Sequence, residues 1–129
     1  MRRAIRVCIG DAVAHGELHD CPTATRIWEA LPIQGQTSRW GDEIYFGIPV
    51  VMDLDYTAHE VVERGDVGYW PQGRALCIFF GPTPVSHGDE IRPASAVNLV
   101  GKMEGDLRIF KEVQEGMIVR LEKEQEVIP

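Results

Sequence analysis

Residues 71–84 read PQGRALCIFFGPTP, and this stretch decides the fold class of the chain. A glycine-containing turn leads into five consecutive apolar residues, 76–80, and a Gly-Pro pair ends the run. A short apolar run between turn residues is typical of a buried strand. Because successive side chains of a strand point to opposite faces, Phe79 and Phe80 must face opposite sides of the sheet. We predict that one of them lies in the core and that the other lines a pocket.

Short alternating segments with turns between them occur along most of the chain. Gly-Asp pairs recur between these segments and are typical of turns, since glycine accepts a positive φ and aspartate caps a turn. We predict strands at residues 4–9, 42–48, 67–70, 76–80, 96–100 and 117–121. Many short strands with frequent turns predict a mostly β protein, either a sandwich or a barrel.

Residues 21–31, CPTATRIWEAL, depart from the strand pattern. The apolar residues Ala24, Ile27, Trp28 and Leu31 recur at helical spacing. This spacing predicts a helix that Thr23 or Asp20 caps and that Pro32 ends. We expect Trp28 to pack in the core, and we predict a second, shorter helix at residues 107–113.

Length, charge and cysteine content restrict the class of protein. A chain of 129 residues predicts one domain, residues 1–129. A net charge of −7 without a basic stripe argues against nucleic acid as a partner. No apolar stretch approaches the roughly 20 residues of a membrane helix, so we expect no membrane partner. Three cysteines without Cys-x-x-Cys spacing, and no signal peptide, predict a reduced, cytoplasmic protein without a structural zinc site.

Several motifs resemble those of cyclophilins. Residues 17–24, ELHDCPTA, resemble the strand, loop and helix start near the beginning of a cyclophilin, and residues 78–80, IFF, resemble the strand that borders its active pocket. The resemblance also implies a strand pair at residues 5–9 and 13–18. Nearly the whole chain resembles a family of small uncharacterised prokaryotic proteins with a cyclophilin-like fold. The segments that carry this second likeness are 39–46 (RWGDEIYF), 69–71 (YWP), 75–84 (ALCIFFGPTP) and 91–95 (IRPAS). The resemblance implies a closed eight-stranded barrel with one or two short helices.

The resemblance to cyclophilins raises the question of prolyl isomerase activity. An isomerase must lower the amide rotation barrier of roughly 18–20 kcal/mol, and cyclophilins use an arginine beside an apolar cup. The cyclophilin strand that carries this arginine matches residues 44–49, IYFGIP, and Phe46 occupies the arginine position. A weak isomerase would therefore need a relocated arginine, for which Arg39, Arg74 and Arg92 are the candidates.

An aromatic cup is the candidate ligand site. Its candidate residues are the aromatic side chains Trp40, Tyr45, Trp70 and Phe80 and the polar side chains Arg92 and Asn98. A concave apolar site with a few polar groups is the usual form of a ligand pocket. We expect the cup to bind a small molecule or a proline-containing segment without a metal or other cofactor. The alternatives are a weak prolyl isomerase and a non-catalytic structural or interaction protein whose barrel mouth is filled by its own side chains.

Two other groups of residues were candidates for chemistry. His15, His19 and Cys21 resemble a metal-ligand set, but only the two histidines share a strand face, so exposed hairpin histidines are the favoured interpretation. Asp53 and Asp55 would share a strand face and could perform acid–base chemistry. Their turn-rich surroundings favour solvated loop carboxylates instead.

Overall fold

The computed structural model describes residues 2–124 of the chain. Its strands are β1 (Arg3–Ile9), β2 (Ala12–Leu18), β3 (Ile33–Gln36), β4 (Ser38–Trp40), β5 (Glu43–Gly47), β6 (Ala58–His59), β7 (Asp66–Trp70), β8 (Ala75–Phe79), β9 (Val97–Glu104) and β10 (Ile118–Lys123). Its helices are α1 (Pro22–Ala30) and two 3₁₀ helices, Pro71–Gly73 and Leu107–Glu112. The prediction of a mostly β protein is confirmed. No helix within the described residues is long and apolar enough to cross a membrane.

The strands form one antiparallel sheet that curves into a nearly closed barrel. Nine strands follow the path β3-β10-β1-β2-β9-β7-β8-β5-β4, and β6 pairs with β9 beside this path. The expected number of strands was eight. The count differs because residues 33–40 divide at Thr37, where β3 pairs with β10 and β4 pairs with β5. Thr37 therefore joins the two ends of the path, and its backbone N–H donates to the Met117 carbonyl over 2.8 Å.

The barrel interior contains the larger apolar cluster. Alternate residues of the strands supply it, among them Ile5, Val7, Ile44, Phe46, Tyr69, Leu76, Ile78, Val119 and Leu121. Phe80 also belongs to this cluster and is 1% exposed. Because inward-facing side chains recur at every second position, the apolar alternation in the sequence identifies the inner face of these strands.

Helix α1 packs on this interior cluster. The predicted helix is confirmed, and Ala24 and Ile27 are fully buried. Trp28 is half-buried against the cluster, with the Lys123 ammonium 4.5 Å from its ring centroid. The predicted cap is wrong: Cys21 is the N-cap residue and makes no side-chain cap, and the Thr23 hydroxyl donates to Asp55 over 2.7 Å instead. The second predicted helix forms as the 3₁₀ helix that follows β9.

A second apolar cluster lies on the outer face of the sheet. Its buried members are Val62, Cys77, Phe79, Ile91 and Val97, and Tyr45, Trp70 and Leu99 pack against them. Residues 81–96, which we call the covering segment, supply Ile91 to this cluster. Phe79 and Phe80 therefore face opposite sides as predicted, but both are buried. Phe79 is buried under the covering segment, whereas the edge of Phe80 also lines a small depression of about 220 Å³ beside Arg64 and Leu107.

Close contacts hold the covering segment against the sheet. The backbone N–H of Val62 donates to the Ile91 carbonyl, and that of Asp42 donates to the Pro82 carbonyl, each over 2.9 Å. Gly41 lies in the left-handed region with φ of +61°, and a Cβ there would be 2.9 Å from Pro84 Cδ. A larger residue at position 41 would strain the turn and push the segment away.

Candidate functional site

A cavity of about 280 Å³ opens on the outer face of the sheet beside the covering segment. The residues that line it are Trp40, Glu43, Tyr45, Trp70 and Ala94. Three of the predicted site residues, Trp40, Tyr45 and Trp70, therefore line one cavity. All three are half-buried, so part of each aromatic surface remains accessible.

Strand register explains why these side chains converge. Trp40 on β4 lies directly opposite Glu43 on β5, and Tyr45 follows two residues later on the same face. Tyr45 in turn lies opposite Cys77 on β8. The Tyr45 and Trp70 rings meet edge to face, with centroids 6.4 Å apart and planes at 82°. Strands β4, β5 and β7 thus supply the side chains of one wall.

Trp70 is held in place from two sides. Its indole Nε1–H donates to the Ser95 hydroxyl of the covering segment over 2.7 Å. On the other side, the ring packs against Gly73, where a Cβ would be 2.6 Å from Trp70 Cε3. The glycine in the sequence PQG is therefore required for this ring position, and the turn and the covering segment together orient the cavity wall.

Glu43 is the buried carboxyl group of this wall. The residue is 6% exposed, and burial raises the pKa of its carboxyl to about 7, while a hydrogen bond with Cys77 opposes the rise. No basic side chain among residues 2–124 contributes to this pKa. Burial raises the pKa of the Cys77 thiol well above its ordinary value, and the nearby Glu43 carboxyl raises it further. The cavity therefore contains a carboxyl group that can change its charge near neutral pH.

Phe80 lies away from this cavity, inside the barrel. Its ring centroid is 5.8 Å from that of Phe110, and the Arg39 guanidinium carbon lies 5.2 Å from the Phe80 centroid. Arg39 also donates to the carbonyls of Lys111 and Val113, over 2.8 and 2.9 Å. Phe80 and Arg39 thus connect the ends of β4 and β8 to the segment around the second 3₁₀ helix. Because Phe80 does not line the cavity, we do not include it in the proposed ligand site.

Asn98 is also remote from the cavity. It is fully buried, its Oδ1 accepts from the Asp55 backbone N–H over 2.8 Å, and its Nδ2 donates to the Thr23 hydroxyl and the Asp53 carbonyl over 3.0 Å each. These bonds connect β9, α1 and the loop before β6. Arg92 lies in the covering segment, pairs with Glu90 over 3.0 Å, and lines a separate depression that shares Ala94 with the cavity.

The residues considered for other chemistry do not converge. His15 Nδ1 lies 2.7 Å from Glu124 Oε2, whereas the buried Cys21 thiol is directed at the Leu99 carbonyl. Among residues 2–124, no three His, Cys, Asp or Glu side chains form a group that could hold a metal ion.

Asp53 and Asp55 have different surroundings and do not act as a pair. Asp53 is exposed. Burial alone would raise the pKa of Asp55, but hydrogen bonds from Thr57 and Thr23 outweigh it and lower the pKa. The ionised Asp55 therefore holds its loop in place through hydrogen bonds with Thr23 and Thr57. The sequence had favoured a solvated carboxylate at this position.

Glu43 and Ala94 also line the cavity, although the sequence pattern did not predict them as site residues. In the segment 42–48, Glu43 alternates with apolar inward residues and is therefore expected to be solvent-exposed. A signal was nevertheless present, because the unbroken apolar run of β8 indicates that both faces of that strand are covered. The outer face of its neighbour β5, which carries Glu43, must then be covered in part as well.

Comparison with known proteins decides the family. A family model described as cyclophilin-like matches residues 3–122 of the chain. The chain belongs to the cyclophilin-like family. Its structure is similar to the solution structure of a hypothetical protein from Archaeoglobus fulgidus, with a TM-score of 0.80 and 40% sequence identity over 95% of each chain. Comparison with curated proteins gave no match.

Membership of the cyclophilin-like family makes the position of Phe46 informative. Phe46, which the sequence matches to the cyclophilin arginine, is 1% exposed and belongs to the interior cluster. Its neighbours Tyr45 and Gly47 occupy the opposite face of β5, on the side of the cavity. None of the described residues that line the cavity is an arginine.

Proposed function

We propose that this cyclophilin-like protein is a binding module that holds a small molecule or a proline-containing segment between Trp40, Tyr45 and Trp70. The observation that carries this proposal is the convergence of three half-buried aromatic side chains on one open cavity of about 280 Å³. Ligand sites are typically concave and lined by aromatic groups with a few polar groups among them. Here Glu43 supplies the polar group.

The partial exposure of the aromatic wall favours binding over a purely structural role. Covering apolar surface gains about 25 cal/mol per Å², so a ligand that covers these rings recovers free energy that the free protein lacks. Tyr45 and Trp70 are also fixed relative to one another and to Ser95 before any ligand enters. Such preorganisation reduces the entropy cost of binding.

Binding without isomerisation agrees best with the arginine positions. Arg39 is occupied by backbone carbonyls and Asp42, and Arg92 is paired with Glu90. Arg74 is exposed after the first 3₁₀ helix and does not line the cavity. An isomerase would require a guanidinium across the cavity from the aromatic wall. No feature of the described residues favours the isomerase alternative over simple binding.

The three tryptophans of the chain provide the test. Trp40 and Trp70 line the cavity, whereas Trp28 lines a different depression beside Leu31 and is covered by Lys123. We expect titration of ¹⁵N-labelled protein with N-acetyl-Ala-Pro-amide to shift the indole N–H signals of Trp40 and Trp70 saturably and to leave that of Trp28 unchanged. Exchange spectroscopy on the same samples should show an unaltered cis–trans rate. Acceleration of that rate would instead support the isomerase.

Substitutions of Ala94 provide a matched pair for this titration. Ala94 is exposed and lines the cavity, so Ala94→Phe should fill the space without disturbing the core. Ala94→Ser should leave the space open. Loss of the indole shifts in Ala94→Phe but not in Ala94→Ser supports the cavity as the site, and equal binding by both variants counts against it.

A further inference from the structure

We propose that the ligand of this cavity is an organic cation, an alkylated ammonium group that contacts Trp40, Tyr45 and Trp70 while its charge faces the Glu43 carboxylate. This inference rests on the proposed function and specifies the class of ligand. It excludes anionic ligands from the site and makes neutral ones the weaker binders.

The first argument is the missing counter-charge of Glu43. Glu43 is 6% exposed in the cavity wall, and of the described side chains only the Cys77 thiol offsets the effect of burial on its pKa. Removing a carboxylate from water is costly unless an opposite charge compensates it. Within residues 2–124 no basic side chain forms an ion pair with Glu43, so a bound cation would supply the compensation.

The second argument is the chemistry of the surrounding wall. Aromatic rings attract cations through their quadrupoles, and the attraction grows when water is excluded. Trp40 lies directly opposite Glu43, and Tyr45 lies on the same strand face, so the rings and the carboxyl border the same space. A primary ammonium group has three N–H donors to satisfy. An alkylated ammonium has fewer donors and apolar substituents, which suit a mostly aromatic wall.

The third argument is the charge of the whole protein. With a net charge of −7, the chain attracts cations and repels anions at a distance. Repulsion from an ionised Glu43 would add to this effect at close range. A neutral ligand would gain the aromatic contacts but would leave the carboxyl without compensation.

Choline and 3,3-dimethyl-1-butanol form a matched pair of probes. They have nearly the same shape, but a neutral carbon in the alcohol replaces the cationic nitrogen. We expect choline to shift the Trp40 and Trp70 indole signals at pH 8 with about tenfold higher affinity than the alcohol. Equal or tighter binding of the alcohol overturns the cation inference and leaves the proposed function standing. If neither probe shifts these indole signals, the inference is overturned as well. The titration with N-acetyl-Ala-Pro-amide then tests the proposed function separately.

The affinity for choline should also follow the ionisation of Glu43. Two titratable groups lie beside Glu43, the Cys77 thiol on β8 and the phenol of Tyr45 on the same strand. The pKa of the Cys77 thiol is raised well above its ordinary value. The neighbouring Asp42 is paired with Arg39. Burial raises the pKa of Glu43 to about 7. If the ionised form alone binds choline, the apparent affinity rises by about 30-fold between pH 5.5 and pH 8. An affinity that is constant over this range overturns the inference without any substitution.

Charge-removing variants complete the test. Glu43→Gln retains the shape of the side chain, and we expect it to bind choline no more tightly than 3,3-dimethyl-1-butanol. Glu29→Gln removes the same charge from an exposed position of α1 and should bind choline as the wild type does. Unchanged choline affinity in Glu43→Gln contradicts the proposal.

Discussion

Trp40 and Glu43 lie opposite each other in the antiparallel pair of β4 and β5, so an aromatic ring and a buried carboxyl share one face of the sheet. Directly opposite residues in an antiparallel pair have Cβ atoms about 4.5–5.5 Å apart. Carboxyl and ring therefore border the cavity together. This juxtaposition makes the wall uncharged at low pH, when Glu43 is protonated, and anionic at high pH.

The stability of the protein should decrease between pH 4.5 and pH 7 because of Glu43. Burial raises the pKa of this carboxyl from 4.5 to about 7, so the folded protein binds the proton more tightly than the unfolded chain. The stabilisation is complete below the unfolded pKa and is lost as the pH rises through the folded pKa. The difference corresponds to about 3 kcal/mol at most. Glu43→Gln should thus be more stable than the wild type at pH 8, as urea unfolding would measure.

Glu29→Gln is the control for this pH dependence. Because Glu29 is exposed on α1, its replacement should leave the difference in unfolding free energy between pH 4.5 and pH 8 as in the wild type. If Glu43→Gln also retained the wild-type pH dependence, the burial of Glu43 would not be its cause.

Gly73→Ala should displace the Trp70 ring. A Cβ at position 73 would lie 2.6 Å from Trp70 Cε3, whereas a Cβ at Gly47 would meet nothing within 4 Å. We expect Gly73→Ala to lose about 1–3 kcal/mol of stability through overpacking and to shift the Trp70 indole signal. Gly47→Ala, in the same sheet, should do neither. Thermal unfolding and the indole spectrum measure both effects, and identical behaviour of the two variants would contradict the packing of Trp70 on Gly73.

Asn98→Ala should destabilise the fold and leave ligand binding intact. The substitution removes bonds to the Asp55 N–H, the Thr23 hydroxyl and the Asp53 carbonyl, and each buried polar group left without a partner costs about 1–3 kcal/mol. Gln36→Ala, at an exposed position of β3, should change stability by less than about 0.5 kcal/mol. Chemical denaturation gives these values. A selective loss of ligand affinity in folded Asn98→Ala would return this residue to the site.

Tyr45→Leu and Phe80→Leu separate the cavity from the core. Each substitution removes one aromatic ring, but Tyr45 lines the cavity and Phe80 packs on Phe110 inside the barrel. Tyr45→Leu should weaken ligand binding by about tenfold, since an aromatic contact is worth about 1 kcal/mol or more. Phe80→Leu should lower the unfolding free energy by about 1–3 kcal/mol and leave affinity unchanged. Indole titrations and urea unfolding distinguish the two, and the reverse pattern would refute this assignment.

Local patterns predicted most of the elements. The helical spacing of residues 21–31 located α1, and apolar alternation located β1, β5 and β10 to within a residue or two, whereas β2 followed from the cyclophilin resemblance. The run at residues 76–80 located β8 and correctly placed its two phenylalanines on opposite faces. These signals are local because each depends on side-chain period and on flanking turn residues. The strand at 96–100 was recognised but extends to Glu104.

The sequence could not reveal the long-range contacts. Strand β3 was missed because its partner β10 lies at the other end of the chain, and β4, which has only three residues and pairs locally with β5, is too short to give a clear pattern. The covering segment contains glycine, proline and charged residues, which predict a surface loop, yet Ile91 docks on Phe79 and its neighbours. That docking buries Phe79, and Ala94 of the same segment lines the cavity with Glu43, so the composition of the cavity wall depends on tertiary packing.

The most direct measurement is the titration of the three indole N–H signals with choline at pH 8 and with N-acetyl-Ala-Pro-amide in turn. We predict that at least one of these ligands shifts the Trp40 and Trp70 signals along a saturable curve, while the Trp28 signal, beneath Lys123, stays in place. Three signals that do not respond to either ligand, or a Trp28 signal that moves together with the other two, would contradict the claim that this cavity is the binding site.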